Sequence, residues 1–349
     1  MLGFDKDVDS RAPEGEGTRF VEENMMKERF NPNTHPKDFE GTVVVSIGIC
    51  VKNSERTIRE AITSVLNQAF NKEQMEIIVI DDDSNDRTLS IIAEIVSKAD
   101  VNMKLYSTNG NGLTVARQMV VDNSSGDFVV FVDGDMVLSR DFVQNQVELM
   151  KKNPIVGVAG GQMKGRPSRN LVAELEGMSI SRDFEIGIHR NWRVDPKKLG
   201  TGGSIFRLAA IRKAGGFDTS IIGAAEDADI TARIKSAGYL LFVGQAEFEH
   251  DFRQTLTGLW NQYAWYGHGM HYFCHKHKDF TESALVYFWP VSFAWSVIRS
   301  LLTFKNTHRK IAFFLPFFNL FKATAYWFGF FKAHQERYGH EYLHSERKK

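Results

Sequence analysis

Apolar runs that alternate with amphipathic segments are the feature of this sequence that most restricts its fold. Four buried β-strands are predicted, at VVVSIGICV (43–51), EIIVI (76–80), KLYS (104–107) and FVVFV (128–132). The segments between them place apolar residues such as Ile58, Ile62 and Val65 on one helical face, and Ser54 is the expected cap of the first helix. Strands that alternate with helices form parallel sheets through right-handed crossovers. The first half is therefore predicted to be a doubly wound α/β sheet.

The second half of the chain is predicted to extend this sheet. Strands are expected at VGVAGG (156–161), GSIFR (203–207) and YLLFVG (239–244), with helices near 170–185, 208–215 and 226–238. The result is a mixed, mainly parallel sheet flanked by helices over residues 41–275, with halves at 41–140 and 141–275. Residues 1–40, rich in Gly, Pro and charge at their start, are expected to form an N-terminal tail or arm.

Charge and cysteine content exclude several classes of protein. The 349 residues carry a formal net charge of zero, which argues against a nucleic-acid binder held by bulk electrostatics. Cys50 and Cys274 match no zinc or disulfide spacing, so we expect two ordinary thiols in a reducing compartment. A P-loop, a GxSxG elbow and an HExxH motif are absent from the sequence, which argues against NTPases, serine hydrolases and zincins.

Acidic residues follow two of the predicted strands. Asp81, Asp82 and Asp83 come directly after EIIVI, and Asp133 and Asp135 come directly after FVVFV. Ligands of such sheets bind beyond the carboxyl ends of the strands, so both groups are expected to face one crevice. The Asp133-Gly-Asp135 sequence offers hard oxygen ligands for Mg²⁺ or Mn²⁺, and the alternative is a solvated Asp-Gly turn.

Two further charged motifs carry a candidate chemistry. Arg117 lies on the third predicted helix, where it would offset phosphate charge or form an ordinary surface ion pair. The stretch Glu226-Asp227-Ala228-Asp229 begins a helix, so its acids either cap that helix or supply a general base. Gly202 and Gly203 either let the backbone approach a ligand or break a loop.

The order of these motifs resembles the family 2 glycosyltransferases of the GT-A fold. The resemblance rests on VSIGICVKN, IVIDDDSNDRT, GLTVARQ, FVDGD, GTGGSIFR and AAEDADI, and it covers roughly residues 43–270. It implies a nucleoside-diphosphate-sugar half over residues 41–140 and an acceptor half over residues 141–275. Lys52 departs from the aromatic residue that many relatives carry there, so the backbone near Cys50 is expected to serve the base instead.

The resemblance also implies roles for individual residues. Asp82 would contact the base, Asp135 the metal, Asp133 the ribose or the water shell of the metal, and Asp227 would be the catalytic base. Glu226 and Asp229 would be supports or acceptor contacts, and His250 a third metal ligand, a diphosphate contact or a structural histidine. The remaining residues assigned to donor binding are Cys50, Asn53, Arg117 and Gly203.

The C-terminal part is a separate aromatic element, predicted over residues 280–349. Residues 280–334 contain 12 of the 27 Phe and three of the six Trp. The segments 285–304 and 311–331 are long enough to span a bilayer, but each has an interior charge, Arg299 or Lys322, and a basic connector joins them. We expect two helices lying in the cytoplasmic leaflet against anionic lipids, with a packed helical subdomain, a dimer partner or a hairpin of spans as alternatives.

Taken together, the sequence predicts an inverting, metal-dependent glycosyltransferase at the cytoplasmic face of a membrane. It would use a nucleoside-diphosphate sugar, with UDP favoured, Mn²⁺ or Mg²⁺, and a lipid-linked or membrane glycan acceptor. Alternatives are a polyprenyl-phosphate glycosyltransferase, a nucleotidyltransferase and a non-catalytic membrane scaffold. No nucleic-acid partner is expected, and a homo-oligomer stays open. The QxxRW pattern of processive synthases is absent from WNQYAWYGHG, which argues against a polymerase.

Overall fold

A computed structural model describes residues 42–166, 168–188, 196, 198–278 and 289–340. The predicted N-terminal arm over residues 1–40 lies outside the described residues, as do residues 279–288 and 341–349 of the predicted C-terminal element.

Eight strands make up the sheet in the described part of the chain. They are β1 (Val45–Val51), β2 (Met75–Asp81), β3 (Asn102–Ser107), β4 (Phe128–Asp133), β5 (Met136–Leu138), β6 (Val156–Gly165), β7 (Ser204–Arg207) and β8 (Leu240–His250).

Helices cover both faces of the sheet and form the C-terminal element. They are α1 (Ile58–Leu66), α2 (Thr88–Val96), α3 (Leu113–Asn123), α4 (Phe142–Lys152), α5 (Leu171–Ile188), α6 (Leu208–Lys213), α7 (Glu226–Ser236), α8 (Leu256–Lys276), α9 (Trp289–Thr307) and α10 (Leu315–Gln335). Short 3₁₀ helices cover Lys72–Gln74 and Lys310–Phe314.

The strand order is β3-β2-β1-β4-β7-β6-β8-β5. The pairs among β1, β2, β3 and β4 are parallel, as the alternation of strands and helices predicts. Strand β7 runs antiparallel to β4 and β6, whereas β6 and β8 are parallel to each other. The predicted mixed α/β sheet is confirmed, and the second half extends it.

Both faces of the sheet are covered because alternate side chains of its strands enter two different cores. Ile47 and Ile49 of β1 pack with residues of α1, α2 and α4 on one face. Cys50 of β1 and Phe131 of β4 pack with residues of α3, α6 and α7 on the other. This two-sided burial explains the continuous apolar runs that identified these strands in the sequence.

Helices α8 and α10 touch backbone to backbone. A Cβ atom on Gly267 of α8 would collide with the carbonyl of Tyr326 of α10. Reciprocally, a Cβ atom on Gly329 of α10 would collide with the carbonyl of Ala264 of α8. The C-terminal element is therefore packed closely on the helix that follows the last strand.

Two local predictions differ from the structure. Ser54 does not cap α1 with its side chain: its hydroxyl bonds the carbonyl of Lys52, while its own carbonyl accepts the N–H groups of Thr57 and Ile58. Strand β8 is longer than the predicted YLLFVG because its final residues pair with β5, a three-residue strand that the sequence pattern does not reveal. That pairing brings His250 opposite Met136, next to Asp135.

Interior charges of the C-terminal helices face the protein. Lys322 of α10 donates to Glu176 of α5 at 2.7 Å and to the hydroxyl of Ser179 at 2.8 Å, and Tyr263 donates to the same Glu176 at 2.8 Å. Arg299 of α9 is buried and bonds the carbonyl of Ser179. The free-energy cost of placing these two charges in lipid therefore does not apply, because Glu176 and polar groups of α5 bind Lys322 and Arg299 inside the protein.

The outer surface of the same helices is apolar. Large exposed hydrophobic side chains lie on α9, α10 and the 3₁₀ turn between them: Trp289, Phe293, Trp295, Val297, Ile298, Leu301, Leu302, Phe313, Phe314, Phe317, Phe328 and Phe331. In the part of the chain that the structure describes, one helical stretch, Lys310–Gln335, is long and apolar enough to cross a membrane, and 44% of its most apolar window is buried.

Candidate active site

The carboxyl ends of β2, β1 and β4 lie side by side and carry the predicted acids to one edge of the sheet. In register, Cys50 of β1 lies opposite Ile80 of β2 on one side and opposite Asp133 of β4 on the other. Asp82 follows β2 directly and donates its N–H to the carbonyl of Val51 at 2.8 Å. The sequence prediction that the two acidic groups meet at this edge is therefore supported by the topology.

Asp82 is held as a preformed anion. Its Oδ1 accepts the hydroxyl of Thr108 and the N–H of Gly112 at 2.8 Å, and its Oδ2 accepts Lys52 at 3.0 Å. Burial by itself would raise the pKa of Asp82, but the hydrogen bonds from Thr108, Gly112 and Lys52 outweigh it and lower that pKa. Lys52, which replaces an aromatic residue of many relatives, thus pairs with the carboxylate expected to contact the base.

The acids next to Asp82 have structural roles. Asp81 accepts the N–H of Ser84 at 3.0 Å, and its other oxygen is buried without a partner among the described residues. Asp86 accepts the N–H of Thr88 at 2.9 Å at the start of α2. Asn53 ties two loops together, because its Oδ1 accepts the N–H of Asn85 at 2.9 Å. Its side chain is thus engaged within the protein.

Arg117 joins the two charged motifs of the sequence. Its guanidinium pairs with Glu226, and its Nη2 donates to Asp133 at 3.2 Å. The side chains of Arg117 and Glu226 are only 6% and 4% exposed. The alternative of a surface ion pair is therefore wrong, since Arg117 is buried between the strand-end acid and the start of α7. This position is compatible with a nearby phosphate. Asp133 is 31% exposed, and its contact with Arg117 is longer than the contact between Arg117 and Glu226.

The three acids at the start of α7 have three different environments. Glu226 is neutralised by Arg117. Asp229 is fully buried and accepts Arg233, Lys276 and His277, each within 2.8 Å. Asp227 is half-buried and makes no salt bridge with the described residues.

These environments separate a candidate base from its supports. Burial by itself would raise the pKa of Asp229, but hydrogen bonds from His277 and Arg233 lower it strongly. With both oxygens engaged in the interior, Asp229 does not reach an acceptor, so that alternative is wrong and its role as a support remains. Asp227 accepts the N–H of Ala228 at 2.6 Å, and its Oδ2 lies beside Gly200. Asp227 is thus the acid of this motif whose charge is least compensated.

Asp135 is paired with His250. His250 Nε2 lies 3.4 Å from Asp135 Oδ1, and both residues are mostly buried. For each of them burial disfavours the charged form, but the mutual interaction outweighs it, so the pKa of Asp135 is lowered and the pKa of His250 is raised. His250 is thus placed as the partner of Asp135.

The residues at this edge fit a hard divalent cation. Asp133 and Asp135 supply carboxylate oxygens, the ligands that Mg²⁺ and Mn²⁺ prefer. A Cβ atom on Gly202 would collide with Asp133 Oδ2, so glycine at this position lets the backbone before β7 approach the carboxylate closely. Gly203 has a left-handed backbone (φ +68°), and its N–H bonds the carbonyl of Phe131 at 2.9 Å, which makes it part of the sheet framework.

A cleft of about 710 Å³ opens beyond the ends of β1 and β2. Cys50, Lys52 and Asp82 form one side. Burial raises the pKa of the Cys50 thiol to about 12, so it contributes a neutral, unreactive group. The opposite side comes from the aromatic elements: Trp260, Trp265 and His268 of α8, and Phe328 and Lys332 of α10.

The contribution of α10 to this cleft was missed by sequence reasoning. Nothing local in the sequence places Phe328 or Lys332 beside the strand-end acids. The signal that identifies them is the close approach of α8 and α10 at Gly267 and Gly329.

Comparisons with known proteins indicate the family and the fold of this chain. The family model described as glycosyl transferase family 2 matches residues 46–214. An uncharacterized glycosyltransferase of Haemophilus influenzae is 34% identical over 118 residues, which cover 34% of this chain and 46% of the relative. A dolichyl N-acetyl-alpha-D-glucosaminyl phosphate 3-beta-D-2,3-diacetamido-2,3-dideoxy-beta-D-glucuronosyltransferase of Methanococcus voltae is 29% identical over 136 residues, covering 38% of this chain and 42% of the relative. The chain thus spans less than half the length of both relatives.

A solved structure shares the whole architecture. The mannosyltransferase of Pyrobaculum calidifontis in complex with GDP-Man and Mn²⁺ superposes with a TM-score of 0.58 at 16% identity, covering 89% of this chain and 95% of that chain. At this identity the likeness establishes the GT-A fold. Residues 46–214 are therefore a glycosyl transferase family 2 domain, and the chain has the GT-A fold.

Proposed function

We propose that this chain is an inverting, metal-dependent glycosyltransferase that moves a sugar from a nucleoside-diphosphate sugar to a hydroxyl of a lipid-linked or membrane glycan. The observation that carries the proposal is the sorting of the acids of α7. Glu226 pairs with Arg117, and Asp229 accepts Arg233, Lys276 and His277, whereas Asp227, beside Gly200, forms no ion pair with the described residues and has only a longer-range electrostatic interaction with Lys198. A carboxylate that is not held in an ion pair is available to act as a general base.

Donor binding is assigned to the edge formed by β1, β2 and β4. Asp82 is oriented by Thr108 and Gly112 to accept a base N–H, with uracil the base it fits. The loop after β4 supplies the groups for the diphosphate. Asp133 and Asp135 would hold Mn²⁺ or Mg²⁺, and that ion would offset the charge of the departing diphosphate. Arg117 adds a fixed positive charge beside Asp133, which favours the same phosphate position.

Inversion follows from a single displacement. Asp227 removes the proton of the acceptor hydroxyl, the hydroxyl oxygen forms a bond to the anomeric carbon, and the bond from that carbon to the diphosphate oxygen breaks. The proton ends on the Asp227 carboxylate, and the electron pair of the broken bond ends on the diphosphate. Because the leaving group is already a stable anion, a second carboxylic acid is not needed to protonate it.

The membrane assignment rests on the way in which α9 and α10 bury charged residues and expose apolar ones. The charged residues in the middle of these helices, Arg299 and Lys322, are buried, whereas Phe314 and Phe317 are 63% and 66% exposed. Exposed Lys305 and Lys310 flank this apolar surface. An apolar surface bordered by basic residues fits an anionic lipid leaflet. The Methanococcus relative is named for a dolichyl-linked sugar phosphate, which favours a lipid-borne acceptor here.

The catalytic proposal is tested by Asp227→Asn. We expect the variant to keep the thermal stabilisation produced by UDP with Mn²⁺, because Asp227 does not contact the donor, and to lose transfer by about 10²–10⁴-fold. Asp122→Asn, an exposed acid on α3, is the matched control and should retain activity. A panel of UDP- and GDP-sugars identifies the donor. Turnover by Asp227→Asn at the wild-type rate would refute the role of this base.

The membrane proposal has its own test. Purified protein should float with phosphatidylglycerol vesicles and bind phosphatidylcholine vesicles more weakly. The double variant Phe314→Ser/Phe317→Ser should lose most of this binding, whereas Ile155→Ser, which alters an equally exposed apolar residue outside the element (58% exposed), should not. Equal flotation of both variants would show that the aromatic surface does not face lipid.

A further inference from the structure

A group of histidines lies between α8 and the end of α10, away from the acids of the donor edge. It comprises His271 and His275 of α8, His334 of α10 and His340 beyond it, and is called here the histidine cluster. The ring centroids of these four side chains are 4.2–5.5 Å apart in five of their pairings. The proposed glycosyl transfer uses none of them.

The nitrogen atoms of three members come together. The ligand atoms of His271, His334 and His340 all lie within 4.8 Å of one another, and they form the one such triad among the described residues. His271 Nε2 lies 3.2 Å from His334 Nδ1. Nitrogen atoms bound at 2.0–2.1 Å around a tetrahedral zinc ion are about 3.3–3.4 Å apart, so this separation matches one edge of such a site.

Backbone contacts orient the rings of α8 as they would in a metal site. His271 Nδ1 lies 2.7 Å from the carbonyl of Tyr338, so this nitrogen is the donor and Nε2 carries the free electron pair. His275 Nδ1 donates in the same way to the carbonyl of His271 at 2.8 Å. Metal-binding histidines characteristically donate their second ring nitrogen to a carbonyl or carboxylate.

The ligand atoms of the triad are of one chemical kind among the described residues. Glu336, the nearby acid on the same segment, is paired with His268 at 2.8 Å. In the part of the chain that the structure describes, the triad therefore consists of imidazole nitrogens. Imidazole favours Zn²⁺ and related transition metals over Mg²⁺ and Mn²⁺.

We propose that His271, His334 and His340 bind a zinc-class divalent ion at a site separate from the donor edge. The ion would join α8 to the end of α10 and to the residues that follow it, with a fourth coordination position available to His275 or to water.

A metal ion at this site would also affect residues 222–225, which precede the proposed base. The hydroxyl of Tyr338 accepts the N–H of Ile222 at 2.6 Å and lies 3.2 Å from the carbonyl of the same residue. A Cβ atom on Gly269 of α8 would collide with the carbonyl of Ala224. Fixing Tyr338 through the histidine cluster would thus fix residues 222–225, which lead directly to Glu226 and Asp227.

The experiment measures metal binding by the tag-free full chain after removal of metals with a chelator. We expect one equivalent of Zn²⁺ to bind in competition with a chromophoric chelator, a rise in the thermal unfolding temperature, and the visible absorption of tetrahedral Co²⁺ when that ion replaces Zn²⁺. His334→Asn and His340→Asn alter half-exposed or exposed residues, so these variants should fold. Each should bind Zn²⁺ at least about tenfold more weakly, since each loses one of three ligands.

Two controls separate this site from others. His308→Asn changes an exposed histidine at a left-handed position (φ 53°) that asparagine tolerates, and it should leave Zn²⁺ binding unchanged. Asp135→Asn should also leave Zn²⁺ binding unchanged while it weakens the Mn²⁺ dependence of donor binding. Wild-type protein that binds no Zn²⁺, or equal Zn²⁺ affinity in wild type, His334→Asn and His340→Asn, would overturn the proposal.

Discussion

Arg117 of α3 and Glu226 of α7 form a buried ion pair that connects the half of the sheet carrying the donor edge with the helix carrying the proposed base. The second oxygen of Glu226 and the Nε atom of Arg117 have no hydrogen-bond partner among the described residues. Apart from the contact of Arg117 with Asp133, the two charges of the pair are therefore compensated mainly by each other. A buried pair of this kind tolerates the loss of one partner badly, because the remaining charge stays uncompensated.

Glu226→Gln should therefore lower the free energy of unfolding by about 3–5 kcal/mol, the usual cost of breaking a buried pair. Thermal or urea unfolding measures this loss, and Asp122→Asn on the surface of α3 should change stability by less than about 0.5 kcal/mol. Transfer should fall as well, since Arg117 also contacts Asp133. If Glu226→Gln unfolds at the same urea concentration as wild type, the ion pair does not hold the two halves together.

Asp229 should give the protein an acid-sensitive stability. Burial opposes ionisation, but His277 and Arg233 lower the folded pKa below the ordinary 3.8. A carboxyl whose pKa is lower in the folded state stabilises it at pH values above the unfolded pKa, and this contribution is lost as the pH falls through the folded pKa. Wild type should thus be much more stable than Asp229→Asn at pH 7, and the difference should shrink below about pH 4.

Thermal unfolding of both proteins from pH 7 to pH 3 measures this difference. Asp141→Asn is a suitable control, because the pKa of that exposed carboxyl is also lowered, by hydrogen bonds from Asn145 and Ser139, without an ion pair. A difference between wild type and Asp229→Asn that stays constant over the whole range would show that Asp229 does not act through its charge.

Much of the fold and the general position of the site could be predicted from sequence because they depend on local patterns. Apolar runs identify β1, β2 and β4, and their parallel order brings Asp82 and Asp133 to the same edge. The stretch Glu226 to Asp229 was placed correctly at the start of a helix. The different roles of its three acids could not be predicted from sequence. These roles depend on partners from other parts of the chain, namely Arg117, Lys276 and His277.

The C-terminal element shows where local patterns fail. Lys322 and Arg299 looked like charges in an apolar environment, since the sequence around each of them is apolar. Their actual partners lie on α5, 146 residues from Lys322 in the case of Glu176. A contact over such a separation leaves no periodic signal. The same is true of β5, which is only three residues long and is defined by its pairing with β8.

Removal of Lys322 should destabilise the C-terminal element through Glu176. Lys322→Met leaves the Glu176 carboxylate buried with the hydroxyl of Tyr263 as a neutral donor and without its cationic partner, so we expect a loss of about 3–5 kcal/mol. The double variant Glu176→Gln/Lys322→Met should recover at least half of that loss, because neither member of the buried pair is then charged. Lys305→Met, on the exposed end of α9, is the control. If the double variant is as unstable as the single one, packing and not charge explains the effect.

Gly267→Ala should separate α8 from α10 and alter the cleft between them. The new Cβ atom would overlap the carbonyl of Tyr326, which belongs to a helix backbone and cannot move alone, so the two helices must shift apart. That shift moves Phe328 away from Trp260 and widens the cleft that faces Asp82. We expect a lower unfolding temperature and weaker binding of UDP with Mn²⁺, although alanine by itself favours a helix over glycine by about 1 kcal/mol.

Gly258→Ala, in the first turn of α8, gains the same propensity and meets only side-chain atoms of Thr255 and Arg253, so it should be neutral or stabilising. Equal stability and equal UDP affinity in the two variants would mean that the contact of α8 with α10 shapes neither the fold nor the cleft.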